Sequence, residues 1–148
     1  MSPFTYEHPR PSVTVDVAVF SDRPEGIHIL LVQRGQEPFK GRWALPGGFV
    51  DMDEPLEQSV KRELAEETGL EIDQMEQVGA YGDPQRDPRG RVISVAYWAV
   101  LPRGSDQKVE GSDDASRAEW FPVNQLPPLA FDHDRIIQDA WLASKIGG

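Results

Sequence analysis

The arrangement of apolar and polar residues predicts a series of strands with one helix in the middle and one at the end. Residues 12–20 alternate valines with smaller or polar residues, as in a strand with one well-buried face, and 27–34 form its antiparallel return. Residues 91–102 are apolar on both alternating faces, which predicts a central strand covered on two sides. Further extended segments are predicted at 76–81, at 118–123 and around the Pro-Gly-Gly turn within 44–50.

Two stretches have the periodicity of helices. The first is expected to begin near residues 53–55 and to end at Thr68, with Gly69 as a left-handed cap. The second covers residues 132–146, with Asp132 as the N-cap and an apolar face toward the core. This order of elements predicts an α/β (α+β) fold in which a mixed sheet lies between helices.

The first helix directs carboxylates toward its own apolar face. At roughly 100° per residue, Leu56 and Leu64 belong to one apolar stripe. Glu63 and Glu67 fall within this stripe, and Glu66 borders it. Unpaired buried carboxylates are costly and repel one another, so a divalent cation would make the arrangement favourable. A solvated acidic helix surface is the alternative interpretation.

Composition narrows the possible functions. The 148 residues are expected to form a single domain, 1–148, in which 1–11 are an extended N-terminal arm. A net charge of −10 argues against a nucleic-acid partner, and the absence of a signal peptide or a long apolar run predicts a cytoplasmic protein without membrane contact. Because the chain has no cysteine, a metal would need oxygen or nitrogen ligands, which favours hard cations.

The stretch from residue 48 to residue 70 resembles the Nudix box, the signature of the MutT-like hydrolases. The resemblance implies the Nudix α/β/α sandwich and hydrolysis of a nucleoside diphosphate linked to another moiety, with Mg²⁺ or Mn²⁺. The matching residues are Gly48, Glu54, Arg62, Glu63, Leu64, Glu66, Glu67, Gly69 and Leu70.

Carried over by position, the resemblance assigns roles to these residues. Arg62 and Glu54 would orient the acids by ion pairing, although an acid in the position of Glu54 also stabilises a helix N-terminus without any part in catalysis. The implied metal ligands are Glu63, Glu66 and Glu67, with a main-chain carbonyl from Gly48.

The segments 33–51, 81–102 and 126–137 resemble bacterial ADP-ribose pyrophosphatases within this family. Transcriptional regulators that sense ADP-ribose share the same features, but they carry a winged-helix domain for which this chain leaves no room, and their boxes are often degenerate. The expected function is therefore Mg²⁺-dependent hydrolysis of ADP-ribose to AMP and ribose 5-phosphate, with a homodimer as the expected assembly. The alternatives are another nucleoside diphosphate derivative as substrate, or a non-catalytic ADP-ribose-binding module.

Candidate substrate contacts lie outside the box. Arginine forks suit phosphate oxygens, although an exposed arginine without a ligand is the simpler interpretation of each position. An aromatic ring stacks on adenine or packs in the core, and a histidine in the first turn of the last helix contacts a ligand or only occupies that turn. The candidates are Arg34, Arg86 and Arg89 for the diphosphate or ribose, Phe39 and Trp43 for adenine, and His133.

The general base is expected outside the box, because a carboxylate bound to a metal is a poor base. The polar connector before the last strand contains Glu110, Asp113 and Asp114 among Gly and Ser. Of these, the pair Asp113 and Asp114 lies nearest to the strand and is the preferred candidate, and a polar surface loop is the alternative.

Overall fold

The computed structural model describes residues 5–105, 107–111 and 115–146. Within these ranges the chain forms seven strands and two helices. The strands are β1 (Ser12–Arg23), β2 (Gly26–Arg34), β3 (Trp43–Ala44), β4 (Gly47–Phe49), β5 (Glu76–Tyr81), β6 (Val92–Leu101) and β7 (Ala115–Pro122); the helices are α1 (Leu56–Thr68) and α2 (His133–Ser144).

The strands form one mixed sheet centred on β1 and β6. These two strands run parallel over the whole length of β6, from the pair Ser12 and Val92 to the pair Ser21 and Leu101. Along its other edge, β1 pairs antiparallel first with β4 and then with β2, while β5 pairs antiparallel with β6. β3 and β7 extend the sheet from β2. The predicted mixed sheet and the central position of residues 91–102 are confirmed.

Each face of the sheet has its own core cluster and its own helix. Val15, Val17 and Val19 of β1 pack with Val60 and Leu64 of α1. The intervening positions face the other helix, so the prediction that β1 has one buried face was wrong: Thr14, Asp16, Ala18 and Phe20 are buried as well. The cluster on the second face includes Ala18, Phe20, Ile29, Leu31, Ile136, Ile137 and Ala140.

The helix ends agree with the sequence at α1 and differ at α2. Gly69 has φ 77°, and its N–H group donates to the Ala65 carbonyl, as expected of a left-handed cap. Asp132 occupies the N-cap position of α2, but its side chain makes no capping bond. Its carboxylate instead accepts two hydrogen bonds from Arg86, because this charged partner is within reach. Neither described helix is long and apolar enough to cross a membrane.

Candidate active site

A pocket of about 360 Å³ lies where β1, β4, α1, the 82–91 loop and the start of α2 meet. Its lining contains both acidic and basic side chains, and this property decides which ligands it could accept. We call the acids Asp16, Glu63 and Glu67 the acidic wall and the arginines Arg34, Arg86 and Arg89 the basic wall. The two walls together suit a ligand that is itself anionic and is accompanied by a cation.

Glu67 is the most strongly perturbed acid of the pocket. Burial raises its pKa to about 8, and the nearby carboxylates of Glu63 and Asp16 add to this effect. The Gly47 N–H group donates to Glu67 Oε1 at 2.8 Å and, together with Arg34, opposes the rise. Without a cation, Glu67 is therefore mainly protonated at neutral pH.

Glu63 reaches the same pocket from one turn earlier on α1. Burial raises its pKa, although Arg62 Nη1 donates to Glu63 Oε1 at 2.7 Å and opposes the rise. The backbone of β4 passes very close to this carboxylate: a Cβ atom on Gly48 would lie 2.5 Å from Glu63 Oε2. Only glycine allows this approach, which brings the main chain beside the acids.

Arg62 and Glu54 form a charged clamp in front of these acids. Arg62 Nε lies 2.8 Å from Glu54 Oε2, and Arg62 Nη2 lies 3.0 Å from Glu54 Oε1. Ser59 donates a further hydrogen bond to the same carboxylate. The bonds from Arg62 and Ser59 lower the pKa of Glu54 to about 2. The ion pairing expected for Arg62 is thus present, while the catalytic role of Glu54 stays a prediction.

Glu66 is not among the residues that line the pocket. Its side chain is 46% exposed and lies 3.4 Å from Arg62 Nη1. In the part of the chain that the structure describes, no three acidic or histidine side chains are grouped closely enough to enclose a cation as they stand. The convergence of all three box glutamates on one metal therefore stays a prediction, and Glu66 would have to turn inward to take part.

The donor chemistry nevertheless suits a hard divalent cation. Two carboxylates and an adjacent glycine backbone offer the oxygen ligands that Mg²⁺ and Mn²⁺ prefer. Glu67 is half-buried and bonded to a neutral N–H group, so a cation would stabilise its ionised form.

The basic wall is held by carboxylates of the protein itself. The side chain of Arg86 is only 4% exposed, and it binds Asp132 through two bonds of 2.9 and 2.7 Å. Arg89 binds the buried Asp87 at 2.7 Å. Both guanidinium groups border the pocket, so each keeps donors that a phosphate could use.

Two phenyl rings lie close to the guanidinium groups of Arg34 and Arg89 at the edge of the pocket. The guanidinium carbon of Arg89 lies 4.9 Å from the Phe49 ring centre and 5.4 Å from that of Phe131. Arg34 lies 5.1 Å from the same Phe131 ring. Such cation–π contacts keep both arginines beside the pocket.

The two aromatic residues predicted to stack on adenine do not border the pocket. Phe39 packs edge to face on Phe131, with ring centres 4.9 Å apart. Trp43 is 8% exposed and packs on Phe121 in the core on the α2 side. Contact between either ring and a base stays a prediction that would require a ligand larger than this pocket.

His133 borders the pocket but is almost completely buried. Its Nδ1 atom accepts a hydrogen bond from the Leu45 N–H group at 2.9 Å, and its Nε2 atom lies 3.6 Å from Asp16 Oδ1. Burial lowers the pKa of His133, so the ring is neutral at physiological pH. A direct contact between His133 and a ligand stays a prediction.

Sequence reasoning missed Asp16, Phe49 and Phe131, all of which border the pocket. For Asp16 a signal existed, because an acid in the middle of a valine-rich strand is unusual in a buried element. The two phenylalanines gave no comparable signal, since apolar residues beside strands and helices are usually part of a core.

The proposed general bases, Asp113 and Asp114, lie outside the described residues. The neighbouring Glu110 is exposed, and its N–H group donates to the Thr68 carbonyl at 3.1 Å. The connector before β7 therefore passes the carboxyl end of α1. The identity of the base stays a prediction.

The NUDIX domain family matches residues 10–140, and the chain belongs to this family. An ADP-ribose pyrophosphatase of Methanocaldococcus jannaschii is 46% identical over 129 residues, which are 87% of this chain and 72% of the relative. The ADPR responsive transcriptional repressor NtrR of Acinetobacter baylyi is 39% identical over 91% of this chain, but the match spans only 55% of the repressor.

Two solved structures with the same fold contain bound ADP ribose or AMP. The NUDIX domain of Shewanella oneidensis NrtR, complexed with ADP ribose, is 38% identical, has a TM-score of 0.84 and matches 93% of this chain and 90% of its own. A bifunctional NMN adenylyltransferase/ADP ribose pyrophosphatase of Francisella tularensis, complexed with AMP and a Mn ion, is 31% identical. Its TM-score is 0.79, and the match covers 94% of this chain and 43% of that protein.

Proposed function

We propose that this chain hydrolyses the pyrophosphate bond of ADP-ribose to AMP and ribose 5-phosphate, with Mg²⁺ as the cation and Mn²⁺ as a substitute. The observation that carries the proposal is that one pocket is lined both by acids, among them Glu63 and Glu67, and by arginines, among them Arg34 and Arg89. Further support comes from the complete box and from relatives described as ADP-ribose pyrophosphatases.

A first group of residues would bind the cation and orient its ligands. Glu63 and Glu67, with Glu66 and the Gly48 carbonyl, would hold the cation, while Arg62 and Glu54 keep these acids in place. When bound, such a cation lowers the pKa of a coordinated water molecule and offsets negative charge on the phosphoryl oxygens.

The basic wall would hold the diphosphate. Arg34 and Arg89 would donate to its oxygens, and Arg86 would contact it with the donors that Asp132 leaves available. In the reaction, the oxygen of water forms a bond to one phosphorus atom, and the bridging P–O bond breaks. The proton of the water passes to Asp113 or Asp114, and the products separate as AMP and ribose 5-phosphate.

A substrate panel tests this proposal. The chain would be incubated with Mg²⁺ or Mn²⁺ and with ADP-ribose, a dinucleotide, a nucleotide sugar and an oxidised nucleoside triphosphate, and products would be separated by chromatography. We expect AMP and ribose 5-phosphate in equal amounts, with the highest kcat/KM for ADP-ribose. If another member of the panel had a higher kcat/KM, that compound and not ADP-ribose would be the preferred substrate. The reaction class would stay the same.

The second candidate function is a binding module that reports ADP-ribose to a partner. It is favoured by the similarity to an ADPR responsive repressor and to a NUDIX domain complexed with ADP ribose. Calorimetry with ADP-ribose, alongside the product assay, separates the two functions. Binding without release of AMP in either cation would favour the module, whereas turnover would favour the enzyme.

A further inference from the structure

The 45–48 turn follows β3, includes the first two residues of β4, and is held by three different elements. The Leu45 N–H group donates to His133 Nδ1 of α2 at 2.9 Å. The Pro46 carbonyl accepts from the Val17 N–H group of β1 at 3.0 Å. The Gly47 N–H group donates to Glu67 of α1 at 2.8 Å. The position of the turn therefore determines where one oxygen of Glu67 is held.

Carboxylates lie close to both glycines of this turn. A Cβ atom on Gly47 would lie 2.6 Å from Asp16 Oδ1, and one on Gly48 would lie 2.5 Å from Glu63 Oε2. The turn thus fits between Asp16 on one side and Glu63 on the other. A small displacement would change its contacts with both carboxylates of the acidic wall.

The protonation state of His133 follows from its contacts. Because Nδ1 accepts the Leu45 N–H group, that nitrogen carries no proton and the neutral ring is protonated at Nε2. Nε2 faces Asp16 Oδ1 at 3.6 Å, and the other oxygen of Asp16 accepts a hydrogen bond from Ser94. The ring is 4% exposed within this polar group, so its orientation is closely defined.

The segment before His133 is held from the substrate side of the pocket. Asp132 accepts two hydrogen bonds from Arg86 of the 82–91 loop. A continuous set of bonds therefore runs from that loop through the start of α2 to the turn and then to Glu67.

We propose that His133 is a positioning residue for the cation-binding acids: by accepting the Leu45 N–H group it sets the 45–48 turn, and the Gly47 N–H group then orients Glu67. This inference rests on the proposed function only in taking Glu67 as a cation ligand. An outer group that orients a ligand typically changes metal affinity by about 10–100-fold when it is lost. His133 would act in this way without touching the substrate.

Two substitutions of His133 separate its two nitrogen atoms. His133→Asn places an oxygen near the position of Nδ1 and can still accept from Leu45. His133→Gln places its polar groups near the position of Nε2 and lacks the Nδ1 acceptor. Both variants carry a side-chain amide and both lack the imidazole ring. A difference between them therefore cannot come from the loss of the ring itself.

The first readout needs neither substrate nor turnover. Amide hydrogen exchange of Leu45 and Gly47 would be followed by NMR in metal-free protein, and Mn²⁺ binding by the EPR signal of the free ion. In His133→Gln we expect exchange at both amides to accelerate by about 10-fold or more, and the Kd for Mn²⁺ to rise by about 10–100-fold. His133→Asn should stay within about 3-fold of wild type in both measurements.

Kinetics then distinguish positioning from substrate contact. At saturating Mn²⁺, the KM for ADP-ribose should be the same in wild type and in both variants. Equal Mn²⁺ affinity in the Asn and Gln variants would overturn the proposal, as would a raised KM with unchanged Mn²⁺ binding. If ADP-ribose proves not to be the substrate, the exchange and EPR measurements still decide the role of His133.

A measurement on the wild-type protein covers the case in which a variant does not fold. A hydrogen bond from Leu45 to His133 produces a scalar coupling between the Leu45 amide nitrogen and His133 Nδ1. We expect this coupling, together with nitrogen chemical shifts of the Nε2-protonated tautomer. Its absence, or a ring protonated at Nδ1, would overturn the proposal without any substitution.

Discussion

The two walls of the pocket carry opposite charges and differ in how those charges are neutralised. On the basic wall, Arg86 and Arg89 each bind a carboxylate of the protein, at 2.7 Å in both cases. On the acidic wall, Glu67 is bonded to a backbone N–H group, and burial raises its pKa to about 8. Arg86 and Arg89 of the basic wall are therefore paired within the chain, whereas Glu67 of the acidic wall reaches its ionised state most readily with a cation from outside.

The largest expected effect is on the acidic wall. Glu67→Gln keeps the shape of the side chain and removes its charge, so kcat with ADP-ribose and Mg²⁺ should fall by more than about 100-fold, because a direct ligand matters more than an outer one. Glu66→Gln should also lose activity if Glu66 turns inward. Steady-state assays would include Glu57→Gln, an exposed position on the same helix, as the control. Wild-type activity in both Glu66→Gln and Glu67→Gln would contradict the metal assignment.

The next effect concerns the clamp that holds the acidic wall. Arg62→Lys retains the charge but cannot bind Glu54 and Glu63 at once with a planar fork. We expect kcat to fall by about 10–100-fold, with a higher Mg²⁺ requirement. The neighbouring exposed substitution Lys61→Arg serves as the matched control. An unaltered Mg²⁺ titration in Arg62→Lys would argue against the orienting role.

A smaller effect is expected on the basic wall. Arg86→Ala and Arg89→Ala should each raise the KM for ADP-ribose by about 10-fold, the loss of one charged hydrogen bond, and alter the Kd for Mn²⁺ much less. Arg86→Ala should in addition lower the free energy of unfolding by about 1–3 kcal/mol, because Asp132 loses its partner. Arg103→Ala, which breaks the exposed pair with Asp22, is the control. Wild-type KM in both pocket variants would remove the local support for ADP-ribose.

The smallest effect is a pH dependence of stability in metal-free protein. The pKa of Glu67 is raised from its ordinary value of 4.5 to about 8 in the folded state, so between these values the folded chain retains a proton that the unfolded chain releases. The contribution of Glu67 is thus lost as pH rises from about 5 to 8. Glu67→Gln lacks this loss, so its Tm advantage over wild type should grow steadily as the pH rises from about 5 to 8. If Tm changed with pH in the same way in both proteins, Glu67 would be ionised without a cation.

Much of the acidic wall could be predicted from sequence because its information is local. The spacing of Glu63 and Glu67 against Leu64 directs them inward, and Gly69 ends the helix as expected. Glu66 shows the limit of such periodicity: it borders the stripe, and a border position on a helix turns outward when Arg62 offers a partner.

The contacts that join distant parts of the chain could not be predicted in the same detail. His133 meets Leu45 across 88 positions, and Arg86 meets Asp132 across 46. Periodicity placed Asp132 correctly at the start of α2. Whether its carboxylate caps the helix or binds Arg86 depends on tertiary structure. Phe131 has φ 54°, a left-handed conformation that is rare for a phenylalanine and that its sequence neighbours do not announce.

The most direct test of the difference between the walls is the number of protons released when Mn²⁺ binds. Calorimetric titration of metal-free protein at pH 7, in buffers of different ionisation enthalpy, measures this number. Because Glu67 is mainly protonated without a cation, binding of Mn²⁺ should release close to one proton in wild type, and this release should disappear in Glu67→Gln. Binding of Mn²⁺ without proton release in wild type, or with equal release in the variant, would contradict the assignment of Glu67 as the acid that is protonated until the cation binds.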